Sequence, residues 1–448
     1  MAEQATASAP APLPSASLGG IKHRYILLML LGAYTLSFLD RQVVTILAEA
    51  IKKDLQISNL QLGMLTGLAF AIFYTVLGIP IARFAERRSR PLIIAVSMAL
   101  WSGFTVLSGR ATNFTVMAFA RLGVGFGEAG CNPCAHSMIA DITPPEKRAS
   151  ALAFYSLGVP IGTMLGLILG GVIADAYGWR TAFLVAGAPG LILAALIAIT
   201  IREPRSHIAA DLQARAAAMP SLRQTLAELR GKRTFWLIAV AAGLLAFVGY
   251  GQGAFGAPFF LRVHGAEVAA LAHRFGLGPQ GFLGIAGALT TGVGGLAGTW
   301  LGGFLADRAA ATDKRGYMSV PAIAGLLSLP IIFLIYMVDS AALALALGFL
   351  PALLNTLWYG PVYATAQSVV STRSRATAAA ILLFVLNLIG LGLGPITTGA
   401  LNDLFAGPAG FGEIEGIRWA MIAVGSVIIV SVTLFWWARD TVREDVVS

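Results

Sequence analysis

The chain has 448 residues and a mass of 46.8 kDa; 57% of its residues are hydrophobic and only 12% are charged. Soluble domains run near a quarter charged, so this chain lacks the charge to cover a water-facing surface, and a mean hydropathy of +0.78 points to a membrane protein. The formal charge of +9 would suggest nucleic acid in a soluble chain, but in a membrane protein its distribution matters more, and no nucleic-acid partner is expected. The apolar runs are continuous rather than alternating, which excludes an outer-membrane β-barrel.

In chain order, residues 1–22 are rich in Ala, Ser and Pro and read as a disordered cytoplasmic tail, without the basic n-region of a signal peptide. Six apolar runs follow, near 24–48, 59–82, 91–109, 114–138, 149–175 and 180–201, each long enough to span as a helix. Segment 202–233, with Arg202, Arg205, Arg215, Arg223, Arg230, Lys232 and Arg233, reads as a cytoplasmic linker. Six more runs lie near 234–261, 281–306, 317–338, 341–369, 376–402 and 417–438, before a short cytoplasmic tail at 439–448. The expected fold is an all-α membrane protein of twelve transmembrane helices, in six-helix bundles over 23–201 and 234–438. With the N-terminus inside, 22 of the 31 lysines and arginines fall in cytoplasmic segments, 7 in the opposite loops and 2 within spans. The positive-inside rule then places both termini in the cytoplasm, in a cell (inner) membrane.

The two halves echo one another. Gly78-Ile-Pro-Ile-Ala-Arg83 closes the second run, and Gly303-Phe-Leu-Ala-Asp307-Arg308 closes the eighth. The fifth run carries Gly158, Gly162, Gly166 and Gly170; the eleventh carries Gly390, Gly394, Pro395 and Gly399. Small residues at every fourth position let helix backbones approach closely. Two repeated six-helix halves around a midplane site is the plan of a rocking transporter, so the bundles are expected to be pseudo-symmetric.

Asp40, Arg41, Arg121 and Glu128 are the ionisable residues well inside the apolar runs. Each costs about 2.5–3.5 kcal/mol at a span centre, and their formal charges cancel, which predicts mutual pairing. A rise of about 1.5 Å per residue puts Asp40 and Arg121 at one depth. Glu128, seven residues from Arg121, shares its helix face near the midplane, within reach of an extended Arg41. A buried carboxylate held ionised by an arginine takes up a proton when that contact breaks, so the four form a candidate proton-coupling network. A static brace between the first and fourth spans is the alternative.

The second half has no charge in mid-span. Its polar candidates are Tyr250, Gln252, Asn355, Trp358, Tyr359 and Asn387, facing Arg41, Glu128 and Asn132 from the first half. A cavity with one charged and one apolar wall suits an amphiphile, its headgroup near Arg41 and Arg121 and its tail along the seventh to eleventh spans. A sugar would demand more hydrogen-bonding groups than this wall offers. Cys131-Asn-Pro-Cys134 and His136 have neither a second histidine nor a second cysteine pair, so no metal and no cofactor are expected.

These motifs resemble the major facilitator superfamily. The Gly-x-x-x-Asp-Arg signature is intact at Gly303–Arg308 and degraded in the first half, where Ala82 stands at the aspartate position. The resemblance implies a cytoplasmic gate formed by Gly78, Arg83, Gly303, Asp307 and Arg308, with Asp307 and Arg308 bearing more of it. Phe38-Leu-Asp40-Arg41, the run Arg121–Ala129 containing Glu128, and Ile139-Ala-Asp141 resemble the Spinster branch, which carries lysosphingolipids and related lipids. Drug antiporters have Gly-Pro-x-x-Gly-Gly in the fifth span; here Leu167 replaces the proline. The expectation is a monomeric, proton-linked, alternating-access transporter of a sphingolipid- or lysolipid-like substrate, with protons and membrane lipids as its other partners. Its rivals are a proton-coupled importer of a small organic anion, a drug/proton antiporter, and a lipid-acting membrane enzyme, for which two arginines in the network suit hydrolysis poorly.

Overall fold

The computed structural model describes residues 20–85, 88–204, 222–371 and 374–445. The expected tail up to residue 19, residues 205–221 of the expected linker and residues 446–448 lie outside them. Among the described residues all regular structure is helical, and eleven stretches are long and apolar enough to cross a membrane. The twelfth crossing is the fourth span, divided into Phe114–Glu128 and Cys131–Ile142, each too short alone. Asn113 caps its start by accepting from the Val116 N–H. The break has a local cause: Gly130 precedes the second piece, and Pro133 sits in its first turn, where no backbone N–H is required.

The remaining spans follow the apolar runs, several with a change of pitch. The second joins Asn59–Gly63 to Ala69–Ala85 through a π turn at Met64–Leu68. The eighth and eleventh contain π turns at Ala288–Gly294 and Asn387–Leu393. The twelfth runs through Ile428–Asp445, past the expected end at 438, and helix Leu222–Arg230 occupies the described end of the linker.

Within the first half, span 1 packs on 5 and 6, 3 on 4 and 6, 2 on 4, and 5 on 6. The second half repeats every one of these pairings: 7 on 11 and 12, 9 on 10 and 12, 8 on 10, and 11 on 12. The glycine stripes make the approach possible. A Cβ at Gly166 would strike the Leu39 carbonyl of span 1, and one at Gly394 would strike the Phe247 carbonyl of span 7. Five residues further along each stripe the partner changes: Gly171 abuts Gln280 and Gly399 abuts Asn59, each across the boundary between halves.

The halves therefore join through spans 5 and 8 and spans 2 and 11, and carboxylates reinforce both seams. Asp175 accepts the Gly281 N–H at 2.6 Å and the Gln280 N–H at 3.3 Å, at the start of span 8. Asp403 accepts the Asn59 and Leu60 N–H groups at 3.1 and 2.8 Å, at the start of span 2. Negative charge at a helix N-terminus meets orphan donors and the positive end of the dipole. Arg262 adds a nearly sealed pair with Glu49 at 2.6 Å and a bond to Asn59. All of these contacts lie on the face away from the chain ends. On the face that carries the ends, the described polar contacts tie each half to itself. Arg90, fully buried, bonds Glu203 and Asp141, while Glu228 of the linker helix holds Ser371 and Ser374. Among the described residues, the polar contacts made across the crevice between the halves thus all lie on the far face.

Candidate functional site

The site begins with three residues of the first span at helical spacing. Ser37 and Arg41 are four apart and share a face, while Asp40, beside Arg41, points to the other neighbour. Asp40 pairs with Arg121 at 3.0 Å and accepts the Thr105 hydroxyl at 2.7 Å, tying spans 1, 3 and 4 together. Both partners in this pair are about 2% exposed, so Arg121 is sealed inside the first half and does not border the crevice. The expectation of a headgroup near Arg121 is corrected here: its Nη1 is paired with Asp40, and the side chain, its Nε buried without a hydrogen-bond partner among the described residues, is sealed from the crevice.

Arg41 faces the crevice. Its Nη2 and Nε donate to Glu128 Oε2 at 2.6 and 3.0 Å, and the Ser37 hydroxyl donates to the same oxygen at 2.7 Å. Glu128 is the last residue before the break in span 4, so its side chain reaches span 1 from the end of a helix. Gly127 lets this end settle against Trp101 of span 3, where a Cβ would meet backbone. Three donors converge on Oε2, whereas Glu128 Oε1 is buried with no hydrogen-bond partner among the described residues. The Arg41 guanidinium lies 4.9, 4.4 and 4.7 Å from the ring centroids of Phe38, Phe70 and Tyr74. Such contacts hold the cation without neutralising it.

Around this pair stands a wall of tyrosines, of which the sequence singles out Tyr250 and Tyr359 but not Tyr34, Tyr74, Tyr155 or Tyr363. Tyr34 stacks on Tyr155, the Tyr155 hydroxyl donates to Asn132 Oδ1, and Asn132 Nδ2 donates to the Tyr74 hydroxyl. From the second half, Tyr250 lies close enough to Arg41 and Tyr74 to interact electrostatically, and Tyr359 and Tyr363 stand near Tyr250. Tyr359, 37% exposed, stacks on buried Trp358 at 4.0 Å. Hydropathy averages hide tyrosine; its spacing on five different spans carries no common signal in one dimension.

Of the other expected positions, two turn into their own half. Gln252, expected on the cavity wall, donates to the Met421 carbonyl of span 12 inside its own half. Asn355 accepts from Ser328 at the seam of spans 9 and 10. Asn387 begins the π turn of span 11 and is half-buried. Of the expected gate, Gly78 and Arg83 lie in helix Ala69–Ala85 with their side chains outside the described residues. Asp307 and Arg308 are exposed; Asp307 accepts from Tyr317 of its own half, and a Cβ at Gly303 would meet open space. Cys131 and Cys134 are buried free thiols, and the described residues contain no cluster able to hold a metal.

Twelve crossings in two like halves, with a buried ion pair at their interface, define a membrane transporter of the rocking-bundle class. The family profile of the Major Facilitator Superfamily matches residues 30–395, and the chain belongs to that superfamily, as a Spinster-like member; it is a transporter and not an enzyme. A solved bacterial homolog of the human lysosomal transporter Spinster, inward-facing and unoccupied, superposes with a TM-score of 0.83 at 30% identity, over 95% of this chain and 98% of that one. An "MFS-type efflux pump" of Mycolicibacterium smegmatis is 30% identical over 414 residues, 92% of each chain. The sphingosine-1-phosphate transporter SPNS2 of Danio rerio is 26% identical over 406 residues, 88% of this chain and 78% of the relative.

Proposed function

We propose that the chain moves an amphiphilic, lysolipid- or sphingolipid-like molecule across the cell (inner) membrane by alternating access, with both termini in the cytoplasm and a proton exchanged at Glu128. The observation that carries this reading is the lopsided Arg41–Glu128 pair. Arg41 borders the crevice, and its only carboxylate partner among the described residues has one oxygen engaged and one bare. An anionic or zwitterionic headgroup has the charge to compete for Arg41. When it does, Glu128 loses its counter-charge while still buried, and a proton on the bare Oε1 neutralises it. Headgroup and proton then load together. Return of Arg41 to Glu128 expels the proton and the headgroup's phosphate or carboxylate.

The rest of the crevice supports the amphiphile. Phe38, Phe70 and the tyrosines offer broad aromatic faces, and the Tyr74 and Tyr155 hydroxyls are already engaged by Asn132, which suits a chain more than a sugar ring. The charge balance of the loops supports the orientation, and with it the far face, where the halves are tied together, lies away from the cytoplasm. The likeness to SPNS2 and to the efflux pump agrees with lipid-like cargo and outward movement.

The test is flux of a labelled lysosphingolipid in proteoliposomes under an imposed pH gradient. Wild-type flux is expected to follow the gradient. Glu128→Gln should lose the gradient dependence, and Arg41→Ala should lose most of the flux at normal abundance. Unchanged pH-dependent flux in both variants refutes the assignment, and equal flux of a small sugar acid in the wild type refutes the substrate class.

A further inference from the structure

Where the linker helix Leu222–Arg230 meets the seventh span, a second site faces the lipid. A groove of about 390 Å³ runs between spans 7 and 12, lined by Arg230, Arg233, Trp236, Leu237, Val240 and Leu434. Its two arginines are exposed and three positions apart, across the short turn that joins the linker helix to span 7. Neither has an acidic partner among the described residues, although neighbouring cations at this boundary are engaged. Arg443 pairs with Asp313 at 2.7 Å, Arg315 with Asp440 at 3.6 Å, and Lys232 donates to the Asp445 carbonyl at 2.8 Å. Arg439 instead stacks over the Trp436 ring at 4.0 Å. Below the arginines the wall is apolar for about 10 Å, seven residues from Arg233 to Val240 at the helical rise.

The groove is built and held in shape. The Trp236 indole N–H donates to the Leu229 carbonyl at 3.0 Å, fixing the ring between the linker helix and span 7. Leu229 itself is fully buried, and Asp445 accepts the Thr234 N–H at 2.8 Å, locking the end of span 12 to the start of span 7. Val240 remains 36% exposed, and Trp436 and Trp437 stand exposed on span 12 nearby, the usual company of a membrane–water boundary.

From this geometry we infer that the groove binds one anionic phospholipid, its phosphate between Arg230 and Arg233 and an acyl chain against Leu237, Val240 and Leu434. Charge complementarity selects the occupant. Two unpartnered guanidinium groups at headgroup depth attract a phosphate bidentately, and the apolar wall beneath them has no use for a free anion. A zwitterionic lipid would bring a choline or ethanolamine cation against the same two arginines. The lipid would also bear on the linker, since Arg230 ends the helix whose Glu228 is bonded to the start of span 11. The inference is independent of what the central crevice carries.

The experiment uses the purified full chain in detergent, loaded with phosphatidylglycerol or phosphatidylcholine of the same acyl chains and read by native mass spectrometry. The wild type should retain phosphatidylglycerol in preference to phosphatidylcholine. Arg230→Gln and Arg233→Gln should each lower that preference about fivefold, and the double variant should abolish it. Val240→Trp, which fills the groove and leaves the charges in place, should reduce retention of phosphatidylglycerol. Inorganic phosphate at millimolar concentration should not displace the lipid. No headgroup preference in the wild type, full preference in the double variant, or displacement by phosphate overturns the inference. Retention unchanged by Val240→Trp overturns the acyl-chain placement.

Discussion

Glu128 and Asp40 are both buried carboxylates facing an arginine, and their surroundings give them different work. Asp40 has both oxygens engaged, one by Thr105 and one by Arg121, in a pocket closed to the crevice. It is a brace. Removing one partner of such a pair leaves an uncompensated charge, which costs about 3–5 kcal/mol. Arg121→Met should therefore lower the thermal unfolding temperature sharply, and Asp40→Leu in the same molecule should recover much of the loss. A double variant no more stable than Arg121→Met alone would contradict the brace. Glu128 shares its pair with the crevice, so its substitution should act on coupling before stability, as set out above. The sequence already carried these four residues, because four charges in apolar runs need partners. It could not say which arginine was spoken for, since that depends on Thr105 of span 3 lying beside Asp40.

The elements owe their closeness to residues with no side chain. Span 5 lies on span 1 because Gly162 and Gly166 present bare backbone to the Thr35 and Leu39 carbonyls. Gly166→Leu should force these spans apart, displacing Arg41 from Glu128. The expected outcome is a folded but less stable protein with transport reduced at least tenfold, measured as flux per molecule in proteoliposomes; near-normal flux would show that the contact is slack. The linker helix supplies a pH-dependent element. Hydrogen bonds from Ser374 and Ser371 hold the Glu228 carboxyl below its ordinary value near 4.5. A depressed carboxyl contributes its stabilisation in full above the ordinary value and loses it as pH falls through the lower one. Amides at the start of span 11 should therefore stay protected above the ordinary carboxylate value and lose protection as pH falls through the lowered one, after correction for intrinsic exchange. Glu228→Gln should show the weaker protection throughout. Equal protection in both proteins at pH 7 would remove Glu228 from this role.

At the scale of the whole molecule, two related seams hold the far face shut. Asp175 stands 228 residues before Asp403, the same interval that separates Gly171 from Gly399, and each carboxylate caps the first turn of a span in the other half. Because the seams are related by the pseudo-symmetry of the halves, weakening both should favour the opposite arrangement, open on the far face. Asp175→Asn with Asp403→Asn should lengthen spin-label distances across the far face and shorten those across the face of the termini. Each cap is worth roughly 0.5–2 kcal/mol, so the pair can move a balanced equilibrium several-fold or more. Distances unchanged in the double variant would mean that the remaining contacts, Arg262 with Glu49 among them, suffice to hold the far face.

How much was legible follows from these cases. The number of crossings, the repeat, the glycine stripes and the four intramembrane charges are all local or periodic. A bilayer imposes length, hydropathy and small-residue spacing on each segment separately. The tyrosines of the crevice, the sealing of Arg121, the caps at Asp175 and Asp403 and the turning of Gln252 toward Met421 join residues tens to hundreds of positions apart. No segment carries them alone. The amino-acid order decided what must leave water and what must find a counter-charge; only the packing of twelve helices decided which charge found which, because several partners at the same depth were equally available until the backbones met.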